Sequence, residues 1–176
     1  LPQVHVDDVT VVTTFEGTTG LVDYRVETVG GAHVRVSLAD AAGSVVATSS
    51  GPEGRLEIAD VVLWKPGAAY LYELTVEAVD GEDVLDTYSL AVGVRTVAVR
   101  GEEFLVNGEP FYFTGFGKHE DTFVRGKGHD DAYMVHDFQL MEWTGANSFR
   151  TSHYPYAEDV LDLSLIHISE PTRLRR

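Results

Sequence analysis

Over residues 1–94 this chain is a punctuated series of short, β-branched and aromatic segments, and that pattern constrains the fold more than any other feature. The segments are Val9–Phe15, Leu21–Thr28, His33–Asp40, Val45–Ser49, Arg55–Ile58, Tyr70–Val79 and Val84–Val92. Turn residues separate them: Glu16-Gly17, Gly30-Gly31, Ala42-Gly43, Gly51-Pro52, Pro66-Gly67 and Asp80-Gly81. Side chains branched at Cβ pack well on a pleated surface and lose rotamer freedom in a helix, so each segment reads as a strand. Within His33–Asp40, Val34, Val36 and Leu38 alternate with polar neighbours, and one face of that strand is therefore apolar. Leu71 likewise points away from Tyr70, Tyr72 and Leu74. Seven half-apolar strands this close together bury their faces by stacking two antiparallel sheets, which predicts an all-β immunoglobulin-like sandwich over residues 1–94. The chain holds no cysteine, which rules out the inter-sheet disulfide of antibody domains. Packing alone must hold the sandwich, an arrangement suited to a cytoplasmic protein.

After Val94 the periodicity changes. Val97–Arg100, Phe104–Val106 and Glu109–Phe111 are short strand candidates, and Asn107-Gly108 is a strong two-residue hairpin signal because both turn positions need positive φ. The apolar run Phe111–Gly117 has the length of a buried strand, and a polar, glycine-bearing loop, Lys118–His129, comes after it. Asp130-Asp131 can cap a helix running to about Thr144, whose apolar positions Met134, Phe138 and Met141 share one face. Gly145 suits the residue just past its end. Ser148–Ser152 then reads as another strand. Strand, helix and strand at this spacing make a βαβ unit, the building block of a (β/α)8 TIM barrel, here placed over residues 95–162.

The formal charge of −15 is spread along the chain, and 44% of the residues are hydrophobic. Such a surface repels nucleic-acid phosphates and anionic lipid, and the apolar runs are too short to span a bilayer, so neither nucleic acid nor membrane is expected as a partner. No basic start followed by an apolar stretch resembles a secretory leader. His119, His129, His136 and His153 lack metal-ligand spacing and have no thiolate beside them. Gly115-Phe116-Gly117 lacks the third glycine of a nucleotide loop. No metal and no cofactor is therefore assigned.

The last fourteen residues, Leu163–Arg176, leave the helical pattern they interrupt and turn basic. The string Leu163-Ser164-Leu165-Ile166-His167-Ile168-Ser169-Glu170-Pro171-Thr172-Arg173 resembles a translated sequencing-library adapter, and it reads as a read-through scar rather than native sequence. Setting it aside removes one acidic and three basic residues, which leaves about −17 on the remainder.

Several motifs resemble the β-glucuronidases of glycoside hydrolase family 2. Phe111-Tyr112-Phe113-Thr114-Gly115-Phe116-Gly117-Lys118-His119-Glu120-Asp121 is similar to their first barrel strand, and Arg125-Gly126-Lys127-Gly128 and Met134-Val135-His136-Asp137 continue the likeness. Asn147-Ser148-Phe149-Arg150-Thr151-Ser152-His153-Tyr154-Pro155 is similar to the signature of the whole family. Upstream, Leu63-Trp64-Lys65-Pro66-Gly67 and Tyr70-Leu71-Tyr72-Glu73-Leu74 resemble its sandwich domain, and Gly93-Val94-Arg95 the junction into the barrel. The likeness runs from Val6 to Asp162.

The resemblance implies a retaining glycosidase that hydrolyses terminal β-D-glucuronides with two glutamates, one as acid/base and one as nucleophile. In the family both come from later barrel strands, as does the asparagine–lysine pair that grips the sugar carboxylate. The expectation is a chain that ends before its catalytic residues and is inactive alone. Sugar contacts are implied for His119, after the first strand, and for His153, after the second; imidazole can donate to or accept from a hydroxyl. For Arg150 the resemblance implies orientation of the nucleophile from inside the barrel, and the alternative is a structural ion pair. Asn147 could support either role. Glu120 and Asp121 are adjacent in a loop and read as structural or surface groups. A β-galactosidase or β-mannosidase of the same family remains an alternative, as does a non-catalytic immunoglobulin-like carbohydrate-binding or spacer module. A β-glucuronide or related glycoside is the expected partner, with a homo-oligomer open for the full-length protein. Two barrel strands and one helix cannot close, so protease is expected to trim the chain back to Gly93–Arg95.

Overall fold

The computed structural model describes residues 2–167. The first half forms β1 (His5–Glu16), β2 (Thr19–Val29), β3 (His33–Ala39), β4 (Val45–Ser50), β5 (Glu53–Ile58), β6 (Tyr72–Asp80) and β7 (Asp83–Val92). One sheet has the order β1-β2-β5 and the other β4-β3-β6-β7. All pairings are antiparallel, and the chain crosses between sheets after β2, β4 and β5, which gives the immunoglobulin-like sandwich. The alternation read from the sequence explains the core. Val36 lies opposite Val76 and Leu38 opposite Leu74, and these four meet Val22, Tyr24, Val26, Leu56 and Ile58 of the facing sheet. Outward positions pair by charge instead: Arg35 sits opposite Glu77 at 2.6 Å, and Arg55 opposite Asp23 at 2.7 Å.

The segment expected from Tyr70 enters the ladder only at Tyr72. Its ring is buried and its hydroxyl accepts the Val62 N–H at 3.0 Å, which pins the β5–β6 crossing. That is the tyrosine corner of immunoglobulin-like domains. Burial pushes the Tyr72 pKa up, so the hydroxyl stays neutral there.

The same crossing carries Trp64, which is buried and joins the sandwich to the second half of the chain. Its backbone N–H donates to Val94 O and its carbonyl accepts from Asn107 Nδ2, both at 2.9 Å. The indole Nε1 donates to Leu165 O at 2.8 Å, and the Arg95 guanidinium lies 4.7 Å from the ring centroid. A Cβ on Gly93 would come within 2.9 Å of the indole, which is why a glycine fits there.

Beyond the junction, β8 (Val97–Arg100), β9 (Glu103–Val106) and β10 (Glu109–Pro110) form a small antiparallel sheet. Asn107 and Gly108 close its second hairpin at φ 52° and 80°, as the Asn-Gly reading requires. Then come β11 (Gly115–Lys118), the short ladder β12 (Asp121–Thr122) with β13 (Gly126–Lys127), α1 (Asp131–Trp143), β14 (Ser148–Thr151) and α2 (Glu158–His167). β11 and β14 pair in parallel, with α1 as the crossover between them. The Asp130 side chain caps α1 by accepting from the N–H groups of Ala132 and Tyr133, and Gly145 leaves the helix at φ 73°. Phe138 and Met141 are buried with Phe149, Tyr156 and Val160, and Met134 packs beside them.

One expectation fails in this half. The run Phe111–Gly117 is not a single buried strand: only Gly115–Lys118 is strand, and Tyr112 is 85% exposed. Among the described residues, α1 and α2 pack with Phe149 on one face of the parallel pair. Phe104, Phe111 and Phe113 pack on one another, with centroids 4.7, 5.1 and 6.4 Å apart. Asn147 replaces the missing ladder there. Its Nδ2 donates to Tyr112 O at 2.8 Å, and its Oδ1 accepts from Thr114 N at 2.7 Å. At the other end, α2 runs through Leu163–His167, with Ser164 buried and Leu163 against the second core. The rest of the tail, residues 168–176, lies outside the described residues.

Candidate functional site

Parallel strands deliver their C-terminal ends to the same side of the sheet, which is where barrel folds gather their active sites. β11 and β14 end in register at Lys118 and Thr151. His119 comes directly after the first strand, and His153 comes after the second with one residue between. Their ring centroids lie 6.4 Å apart, inclined at 69°. His119 is half exposed, with Nδ1 3.6 Å from Asp121 Oδ2. His153 has φ +42°, a left-handed conformation that costs a non-glycine residue about 1–3 kcal/mol. Such a residue keeps this conformation only where its surroundings over-determine it.

Arg150 lies opposite Gly117 in the parallel pair. The neighbouring Phe149 packs into the α1 core, so Arg150 projects from the opposite face. Arg150 lines an open cleft of about 510 Å³ together with Phe104, Phe113 and Gly117. Arg150 was expected inside a barrel, yet it is exposed here, because the two parallel strands among the described residues cannot enclose a lumen. The structure brings His119 and His153 together and places Arg150 on the sheet face just below them.

The loop after β11 holds groups that sequence reasoning weighs lightly or misses. Glu120 and Asp121 diverge, with side chains 10% and 56% exposed. Glu120 Oε1 is buried without a hydrogen-bond partner among the described residues, 3.8 Å from His129 Nδ1. Lys118 is buried and its ammonium donates to Asp137 Oδ2 at 2.7 Å, which supplies the partner a buried charge requires. The signal for Lys118 lies in the alternation: it points opposite to Gly117, toward α1. Tyr154 carries no comparable signal beyond its place in a motif, and Tyr156 lies just past that motif. The Tyr154 hydroxyl accepts the Glu120 N–H at 2.7 Å, and the Tyr156 hydroxyl donates to Lys118 O and accepts from Ser152 N.

Linear spacing of histidines does not capture one cluster. His129, Asp131 and Asp159 bring ligand-type atoms within 4.8 Å of one another, with Asp159 contributed by α2. All three are exposed, and the imidazole already partners the carboxylates, with Nε2 2.8 Å from Asp131 Oδ1. This is an exposed cluster of one imidazole and two carboxylates.

The chain matches the family model for glycosyl hydrolases family 2 over residues 4–95, and the model for the TIM barrel domain of glycosyl hydrolases family 2 over residues 97–167. It is 52% identical over 161 residues to a β-glucuronidase of Paenibacillus borealis, covering 90% of this chain and 27% of that protein. It is 48% identical over 169 residues to a β-glucuronidase of Mus musculus, covering 92% of this chain and 26% of that protein. Among solved structures, a β-D-glucuronidase of Dictyoglomus thermophilum superposes with a TM-score of 0.89 at 43% identity, over 97% of this chain and 30% of that one. A β-glucuronidase of Ruminococcus gnavus in complex with uronic isofagomine gives a TM-score of 0.92 at 42% identity, over 97% of this chain and 29% of that one. The chain thus spans under a third of the length of these relatives. Its second half is the start of a TIM barrel domain, and the chain belongs to glycosyl hydrolases family 2.

Proposed function

We propose that the protein to which this chain belongs hydrolyses terminal β-D-glucuronides with retention of configuration. This chain supplies the sandwich and the first strands of the catalytic barrel. The observation that carries the reading is the convergence of His119 and His153, 6.4 Å apart at the ends of two parallel strands in a family 2 barrel. Two imidazoles at that spacing can hydrogen-bond neighbouring hydroxyls of one sugar ring. Arg150 has a fixed cationic fork on the face that the later strands of a barrel enclose. There it orients the nucleophilic carboxylate and keeps it ionised. The catalytic glutamates come from those later strands. That the relatives carry the name β-glucuronidase supports a glucuronide, rather than a galactoside or mannoside, as the substrate. The cysteine-free composition fits a cytoplasmic protein, which fractionation of the source cells would check.

The test is turnover of a chromogenic β-D-glucuronide by the complete protein, against the matching galactoside and mannoside. Preference for the glucuronide is expected. His119→Ala and His153→Ala are each expected to lower kcat/KM at least tenfold in that protein. Equal turnover of the galactoside, or wild-type kinetics in both variants, would sink the assignment.

A further inference from the structure

We propose that Tyr154 and Tyr156 are positioning residues whose hydroxyls tie the loop bearing His119 to the loop bearing His153, so that the two imidazoles form one site. The inference deepens the proposed sugar contacts of the two histidines and rests on them.

The β11–β14 ladder stops at Lys118 and Thr151. Both histidines lie beyond it, where strand pairing no longer fixes the backbone. Tyrosine hydroxyls continue the connection. Tyr156 Oη donates to the carbonyl of Lys118, the residue before His119, and accepts from the N–H of Ser152, the residue before His153. Tyr154 Oη accepts from the N–H of Glu120, the residue after His119, at 2.7 Å. His119 is therefore bonded on both flanks to residues just past His153. The backbone of the second loop is closed by Tyr154 N–H donating to Ser152 O at 2.6 Å. The left-handed φ of His153 is over-determined by these bonds.

The rings reinforce the tie. Tyr154 and Tyr156 stack at 5.0 Å with planes 21° apart, so the two hydroxyl-bearing rings pack as a pair. The Tyr154 ring also lies 6.3 Å from the His119 ring, and the Lys127 ammonium sits 4.1 Å over its face. Burial, the largest influence on Tyr156, pushes its pKa up to about 12. The hydroxyl keeps the proton it gives to Lys118 O. A packing role alone would need only the rings, because Tyr156 belongs to the core with Phe138 and Met141. Phenylalanine preserves that packing and removes only the hydroxyl.

The experiment uses the 176-residue chain, isotope-labelled, with Tyr154→Phe, Tyr156→Phe and the double variant. In the wild type, NMR cross-relaxation is expected to connect the rings of His119 and His153, whose centroids lie 6.4 Å apart. The double variant loses that contact while the ring contact of Phe138 with Phe149 and the sandwich amide spectrum persist. Tyr154→Phe alone speeds exchange of the Glu120 amide at least tenfold and leaves Ser152 protected; this variant decides the matter if Tyr156→Phe loosens the second core. A wild type without the histidine contact, a double variant that keeps it, or an unchanged Glu120 amide in Tyr154→Phe overturns the tie. D-glucuronate titrated into the complete protein, which carries the later barrel strands, separates the underlying reading. Shifts at both histidines that weaken in the double variant support tie and site together. Where glucuronate shifts neither ring but the contact still depends on the tyrosines, the tie stands and the sugar assignment falls.

Discussion

The two halves of this chain both carry apolar segments and treat them differently. In the sandwich, Val36, Leu38, Leu74 and Val76 are fully buried. In the barrel segment, Tyr112, Phe116, Phe123 and Val124 remain largely in solvent. The difference lies in where each strand finds its partners. β3 finds β4 on one side through a short turn and β6 on the other, both within the sandwich. Among the described residues β11 pairs with β14 alone, and a parallel barrel strand needs a second strand neighbour and a filled lumen. Apolar pattern predicts burial where the partner is encoded nearby. Where it is not, the same pattern yields an exposed aromatic face.

Core truncation should expose this contrast most strongly. Leu74→Ala opens a cavity at a fully buried position between the sheets and is expected to cost about 2–5 kcal/mol of sandwich stability by denaturant unfolding. Phe149→Ala removes the ring that Phe138 meets edge-on at 5.7 Å and should undock α1. It should leave the sandwich transition where it is. If Phe149→Ala lowers the sandwich midpoint as far as Leu74→Ala, the halves are one cooperative unit coupled through Trp64, and the contrast between them is wrong.

Proteolysis comes next. Trimming at Gly93–Arg95 is the expectation from sequence, but Gly93 and Val94 are buried beside Trp64, whose N–H holds Val94 O. A protease needs an extended, accessible segment, and the loop between β12 and β13 offers one: Phe123 is fully exposed and Val124 is 74% exposed. Trypsin is therefore expected to cut first after Arg125 or Lys127, and chymotrypsin after Phe123. Mass spectrometry of the first fragments checks this, and an initial cut inside residues 93–96 would return the weak point to the junction.

A smaller effect tests the barrel segment alone. Asp130 accepts two N–H groups at the start of α1 and also receives Arg125 Nε at 3.0 Å. Asp130→Ala is expected to cost about 1 kcal/mol of local stability, seen as faster amide exchange in the first turn of α1. Exchange in β2 and β6 should not change.

The legible parts of the fold were those set by local rules. Alternation marked β3 and β6, Asn107-Gly108 marked its hairpin, and Asp130 and Gly145 marked the ends of α1. Motif position pointed to His119 and His153 at adjacent strand ends. The hidden parts depended on distant partners. Trp64 gave no sign that its indole would reach Leu165, 101 residues on. Tyr154 reads only as a motif aromatic and Tyr156 carries no sequence signal, because a hydroxyl bonded to a backbone group leaves no trace in side-chain pattern. The Phe111–Thr114 stretch misled for the opposite reason: its apolar character was local, and its burial was not.

The smallest effect concerns the sandwich surface and its pH dependence. The hydrogen bond from Arg55 holds the Asp23 carboxyl below its usual range, outweighing a small opposing effect of burial. A carboxylate whose pKa is lower folded than unfolded adds stability above the unfolded value of about 3.9, and that stability is lost as pH falls through the folded value. Asp23→Asn should therefore be slightly less stable than wild type at pH 7, and the difference should vanish in acid below the folded pKa. Both partners are well exposed, with side chains 41% and 51% accessible, so salt should shrink the difference further. Paired denaturant titrations at pH 7 and in acid, at low and high salt, measure it. A gap that widened in acid would mean that Asp23 is held by something other than Arg55. A gap as large as that of Leu74→Ala would mean that the outward charge pairs, rather than the apolar inner face, set the stability of the sandwich.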